Sequence, residues 1–274
     1  MIFEIFSYGY VINALLSALI IAITAPIMGM FVVSRRISLI GDTLSHVALA
    51  GIAIGIFLNF VPTITAITIV VIASMFLLKL IQTGNVNADA VLAVFFASST
   101  AIAVVLLSIS THPVNLWEIL FGKSILLVTE QDLLLLFMIS AIIVTTTVFI
   151  YKKWFIITID QELSKINNIN VNFYDNILIV LTAVLIVLAI RIIGVLLVSS
   201  LLVLPILIAL QFSSSFKNTI FNGIIISIIC SITGVITAFY LPTHPVLIPP
   251  GGIIVIILSL LFVIVLSRNM IKNR

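Results

Sequence analysis

The sequence holds one cysteine, Cys230, so no disulfide can close within the chain. It sits in an apolar run, where a small buried filler is its ordinary role. Charge is equally scarce. Only 8% of residues are Asp, Glu, Lys or Arg, against about 25% in a soluble domain. So few charges cannot cover a surface that faces water. There is no phosphate-binding glycine loop, no HExxH pair and no nucleophile elbow. The chain therefore has no recognisable route to ATP, and any ATP-driven work needs another subunit. Glu4 stands where a signal peptide carries basic residues, and no cleavage-like site follows the first apolar run. The net charge of +3 and the pI near 9.1 do not indicate nucleic acid, because the twelve Lys and Arg residues are scattered between apolar runs.

Apolar residues are what the chain has in excess: 63% of the total, with a mean hydropathy of +1.44. They fall into runs near 10–33, 37–58, 62–81, 90–110, 133–151, 176–190, 193–212, 218–240 and 252–267. A crossing helix needs about 20 such residues. Eight or nine crossings fit, and little remains for a soluble domain. The expected fold is all-α, a polytopic transmembrane bundle of 8–9 spans, with residues 1–274 forming a single transmembrane domain. The stretch 176–212 either bends at Arg191 or runs as one long helix. Asn59 with Pro62, and Gly84 with Asn85, mark breaks. Pro249-Pro250-Gly251-Gly252 is not expected to continue a helix.

Basic residues give a direction. With nine crossings and the N-terminus outside, the inner connections hold Arg35, Arg36, Lys79, Lys152, Lys153, Lys165, Lys217, Arg268, Lys272 and Arg274, which is ten of the twelve. Lys123 and Arg191 fall outside. This is the asymmetry of the positive-inside rule. The longest polar stretch, 152–175, is then cytoplasmic. It reads either as a solvated loop or as a short amphipathic helix that docks a soluble partner.

Polar groups inside apolar runs carry the chemistry, because a charge at the bilayer centre costs about 2.5–3.5 kcal/mol on insertion scales. Gly41-Asp42-Thr43-Leu44-Ser45-His46 stands out. A four-residue spacing places Asp42 and His46 about 40° apart around a helix and one turn apart along it. A carboxylate and an imidazole on one face form half of a divalent-cation site. If Arg36 marks the cytoplasmic surface, His46 lies about 15 Å further along a helix, near mid-membrane. The competing reading is an Asp–His hydrogen bond that locks helices together. Two ligands do not fill a tetrahedral shell, so other helices, a second subunit or water must complete it. Ser45, Gly51 and Gly55, and likewise Gly194, Ser199 and Ser200, read as small residues that let helices approach. Pro26 and Pro205 are expected to kink their helices. His112 and His244, each before a proline in an outer connection, are weaker candidates for metal at an outer mouth. Glu118, Glu130 and Asp132 read as outer acids that meet water or a partner, and Arg191 as a snorkelling side chain.

The run Arg35-Arg36-Ile37-Ser38-Leu39-Ile40-Gly41-Asp42-Thr43-Leu44-Ser45-His46-Val47-Ala48-Leu49-Ala50-Gly51 resembles the membrane permease of bacterial ABC metal-uptake systems. Leu120-Phe121-Gly122, Thr129-Glu130-Gln131-Asp132-Leu133, Ile159-Asp160-Gln161-Glu162-Leu163 and Gly194-Val195-Leu196-Leu197-Val198 through Leu204-Pro205 follow in the family's order. The wording of the first motif is closer to zinc permeases than to manganese ones. The resemblance implies a type II-importer-like permease in the bacterial cell (inner or plasma) membrane that is not itself an enzyme. It implies a second copy of the chain, cytoplasmic ATP-binding subunits and an extracytoplasmic metal-binding protein as partners. No cofactor is held permanently, and the transported divalent metal, zinc before manganese, is the cargo. Asp42 and His46 take the role of metal-path residues. The segment 159–171, with Asp160, Glu162, Leu163 and Ile169, resembles the helix that couples to the ATPase. The chain departs from the family at Asn167-Asn168, where alanine or leucine followed by glycine is common, at Ile206-Leu207 after Pro205, and in a longer final loop. Two other readings stay open: an ABC permease for an iron chelate or corrinoid, and an ion-coupled secondary transporter. The lack of paired membrane acids speaks against the second.

Overall fold

The structure is a computed structural model that describes residues 9–84, 87–110, 128–240 and 250–272. Its elements are α1 (Gly9–Ser34), α2 (Ile40–Phe57), α3 (Pro62–Gln82), α4 (Ala88–Ile109), α5 (Glu130–Ile159), α6 (Gln161–Ile166), α7 (Val171–Ile193), α8 (Val195–Leu210), α9 (Phe216–Tyr240) and α10 (Pro250–Lys272). No strand occurs among the described residues. Eight of these helices are long and apolar enough to cross a membrane, and α8 is a shorter apolar helix of 16 residues. Each of the nine apolar runs falls on one of them. The all-α polytopic bundle read from composition is the fold observed.

Three boundaries differ from the sequence reading. The stretch 176–212 is two helices, and the break is at Gly194, not at Arg191. Gly194 has φ +83, a left-handed conformation that costs glycine little and other residues much. It therefore stands at the break between α7 and α8. Pro250 opens α10, with Gly251 and Gly252 in its first turn. Proline is suited to that position, because its missing N–H would have no partner there anyway. Lastly, α5 runs on to Ile159 and α7 starts at Val171, so most of the polar stretch 152–175 is helical. At 30 residues, α5 is about 45 Å long, against about 30 Å for a hydrocarbon core.

Contacts divide the chain into two compact units. One holds most of α1, the start of α5, and α8, α9 and α10. Its helices approach closely where side chains are absent. Gly29 of α1 lies against the Leu202 carbonyl oxygen, and Gly234 of α9 lies against Ile254 of α10. Phe31 and Phe216 rings meet at 5.4 Å between centroids. Asn13 donates to the Val128 carbonyl at 3.2 Å, and Asn269 to the Gln211 carbonyl at 3.1 Å. The second bond joins the C-terminal ends of α8 and α10.

The other unit holds α2, α3, α4, the rest of α5, α6 and most of α7. Thr43 donates its hydroxyl hydrogen to a carbonyl, with Leu39 at 3.0 Å and Leu92 of α4 at 3.3 Å as acceptors. Gly51 and Gly55 face α3, as their size suggested. A Cβ added at Gly51 would stand 2.7 Å from the Ala66 Cα, and one at Gly55 2.8 Å from the Pro62 Cα. A polar joint ties the basic ends together. Arg35 donates to Thr158 at 3.2 Å and pairs with Asp175, which also accepts from Gln82 at 3.4 Å. The pair is buried, with side chains 9% and 4% exposed. Burial lowers the Arg35 guanidinium from its ordinary pKa and the Asp175 carboxylate opposes that. The Trp154 indole, fully buried, donates to the Tyr174 carbonyl at 2.9 Å. The ends of α3, α5 and α7 are thus held at one level, with the Arg35 connection.

Candidate metal-path site

Asp42 lies in the first turn of α2, where a carboxylate also suits the positive end of the helix dipole. His46 is one turn further on. The chain turns between α1 and α2 at Arg36, which has φ +59, so the rise toward the membrane centre starts at Ile40. His46 is then about 9 Å from the helix start and about 4 Å short of its midpoint. That is a shorter climb than a helix from Arg36 would give, but it still leaves His46 near the middle of the span.

Asp42 is exposed and His46 half-buried, whereas Gly41, Thr43, Leu44, Ser45 and Val47 between and beside them are buried. The helix thus turns its apolar and small residues inward and leaves the two ligand-type side chains open on one face. The Ser45 hydroxyl donates to the Gly41 carbonyl at 2.7 Å, which removes it as a free polar group on that face. His46 does not lock onto Asp42. Its Nδ1 lies 2.8 Å from the Thr100 hydroxyl of α4, and its ring packs on Phe96 with centroids 4.2 Å apart. The contact that could have satisfied Asp42 is therefore made by α4. Sequence reasoning missed Thr100 and Phe96. Their four-residue spacing on α4 was available, but a threonine in an apolar run is too common to single out.

Asp42 and His46 remain a pair. Among the described residues no group of three or more His, Cys, Asp or Glu side chains lies close enough to hold a metal ion. Among the described residues this chain brings two ligand-type side chains to this face. His112 and His244 lie outside the described residues. Asp132, read as an acid that meets water or a partner, pairs within the chain with Arg191 at 3.3 Å and accepts from the Thr129 hydroxyl at 2.8 Å. Arg191 is thus ion-paired, not simply snorkelling.

At the polar end of α5, Asp160 is the N-cap of α6, accepting from the backbone N–H of Glu162 at 2.8 Å and of Leu163 at 3.0 Å. Asn168 closes the other end with φ +56. The Ile169 N–H donates to the Ser164 carbonyl and the Asn168 N–H to the Lys165 carbonyl, both at 3.0 Å. These two bonds are a Schellman closure, whose left-handed position takes glycine first and asparagine next. The departure from glycine at Asn168 thus preserves the backbone. Glu162 is exposed, as are Leu163 and Ile166, at 52% and 76%, while Ile169 is half-buried. Asp160 acts on the local fold and is not itself a free surface group.

The family model described as the ABC 3 transport family matches residues 7–269. The chain belongs to the ABC 3 transport family. It is 33% identical over 247 residues to the high-affinity zinc uptake system membrane protein ZnuB of Buchnera aphidicola from Schizaphis graminum, covering 89% of this chain and 92% of that one. It is 28% identical over 213 residues to the manganese import system permease protein ScaB of Streptococcus gordonii, covering 78% and 76%. Among solved structures it is similar to PsaBC from Streptococcus pneumoniae in complex with Fab, with a TM-score of 0.83 and 27% identity over 97% of this chain and 95% of that chain. Family and helices together make this a multi-pass protein of the cell membrane.

Proposed function

We propose that this ABC 3 family member is the membrane permease of an ATP-driven divalent metal importer, with zinc the favoured cargo and manganese the next. The observation that carries the reading is the open Asp42/His46 pair on one face of the first half of α2. A hard carboxylate oxygen and a borderline imidazole nitrogen suit a first-row divalent ion. The names of the zinc and manganese relatives support the same cargo class. Since the described residues of one chain present two candidate ligands here, a second copy facing the first would bring the count to four. An extracytoplasmic metal-binding protein would deliver the ion.

The whole of 1–274 acts as a single permease domain in this reading, with 152–175 as its cytoplasmic coupling segment. The exposed Glu162 and Leu163, with Ile169 beside them, form the docking face for the ATP-binding subunits, and Asp160 holds that face in shape. ATP hydrolysis belongs to those subunits and not to this chain. Movement passed through α6 alternately opens the Asp42/His46 site to each side.

Uptake of labelled zinc by cells carrying Asp42→Ala or His46→Ala tests the path. Accumulation should fall to the level of cells without the permease, at equal membrane abundance of the protein. Normal accumulation in both variants would remove Asp42 and His46 from the path.

A further inference from the structure

The hydroxyl of Thr100 stands between two groups. It lies 2.7 Å from the Phe96 carbonyl oxygen, one turn back on α4, and 2.8 Å from His46 Nδ1. A threonine hydroxyl has one hydrogen, and a carbonyl oxygen can only accept. The hydrogen therefore points at Phe96, and the hydroxyl oxygen offers a lone pair to Nδ1. The hydrogen between Thr100 and His46 must then sit on Nδ1. A neutral imidazole protonated at Nδ1 carries its lone pair on Nε2.

We propose that Thr100 is a positioning residue that holds His46 as the Nδ1–H tautomer and so presents Nε2 as the atom that meets the divalent cation. Ligating histidines commonly donate their second ring N–H to an acceptor, which fixes the ring and raises the basicity of the ligating nitrogen. Here the acceptor is a hydroxyl whose own hydrogen is committed to the backbone of α4. The helix's carbonyl thus sets the tautomer through one intermediate oxygen. The Phe96 ring, 4.2 Å from the imidazole centroid, restricts the flip that would exchange the two nitrogens. This role rests on the reading that His46 meets the transported ion.

The chain has three histidines, so nitrogen-15 NMR of ring-labelled histidine is interpretable in the full-length protein. His112→Gln with His244→Gln leaves His46 as the only signal. At alkaline pH the expected spectrum shows a protonated Nδ1 and a bare Nε2, and added zinc should move Nε2. Thr100→Ser should keep this pattern. Thr100→Val should give a mixture of tautomers and raise the zinc concentration for half-maximal uptake about tenfold or more. A wild-type spectrum with the hydrogen on Nε2, or a Thr100→Val spectrum and uptake curve equal to wild type, overturns the role of Thr100 while zinc binding persists. Zinc that moves neither nitrogen overturns the metal reading beneath it. A nitrogen pattern retained in Thr100→Ser and lost in Thr100→Val supports the assignment.

Discussion

Replacing Asp175 by Asn should destabilise the protein far more than replacing Arg35 and Asp175 together. The two side chains are 9% and 4% exposed. Arg35 Nη2 is buried and has no partner among the described residues, so the guanidinium depends heavily on its one carboxylate. Removing one member of a buried pair leaves an uncompensated charge and costs about 3–5 kcal/mol. Replacing both by apolar groups of similar volume is often close to neutral. Asp175→Asn and Arg35→Met alone should therefore each lower the unfolding midpoint in detergent, by on the order of 10 °C for a chain of this size. Arg35→Met with Asp175→Leu should recover most of that loss. Thermal unfolding of the four proteins, arranged as a double-mutant cycle, gives the coupling between the two sites. Simple additivity of the two single effects would refute the reasoning, since it would mean that neither charge depends on the other. The double variant would also still lack the bonds to Thr158 and Gln82, so a small residual loss is expected.

Two further predictions follow from backbone geometry. Asn168→Gly should leave ATPase-subunit binding intact and Asn168→Val should weaken it, because a β-branched residue at φ +56 is strained by about 1–2 kcal/mol and would loosen the end of α6; copurification of the nucleotide-binding subunit reads this, and equal recovery with both variants would contradict it. Gly51→Ala should reduce the folded yield, since its Cβ would stand 2.7 Å from the Ala66 Cα, while Gly252→Ala, with nothing within 4 Å of the added atom, should not; overpacking of this kind costs about 1–3 kcal/mol, and size-exclusion recovery compares the two.

Much of the fold is legible in the sequence. Apolar runs of crossing length map onto helices because in a membrane the backbone can satisfy its hydrogen bonds only within each helix. Asp42 and His46 stand out in the sequence as candidates for a related reason, since polar residues in such runs are costly. What could not be read was anything decided by a neighbour in space. His46 takes Thr100 as its partner because α4 packs beside α2, and nothing across the separation of 54 positions announces that bond. Asp175 sits in a polar segment, where an acid ordinarily meets water, yet it is buried against Arg35, 140 positions earlier. The helix α5 runs past the start of the polar stretch 152–175, because the hydropathy falls at Lys152 while the helix continues to Ile159. Hydropathy reports where lipid ends, and hydrogen bonding reports where helix ends. Gly194 was read by its size when its dihedral angle was the informative property.

The continuity of α5 has a mechanical consequence. Asp160 is the single residue between α5 and α6, and only residues 167–170 separate α6 from α7. A flexible tether of many residues would soak up a displacement by changing its own shape, and little force would pass beyond it. Here there is almost no slack to take up. A shift imposed on α6 must be borne as translation or tilt of two stiff rods, one of them tied in its second turn by the Arg35–Asp175 joint. The segment is stiff within itself, which is the property of a crank.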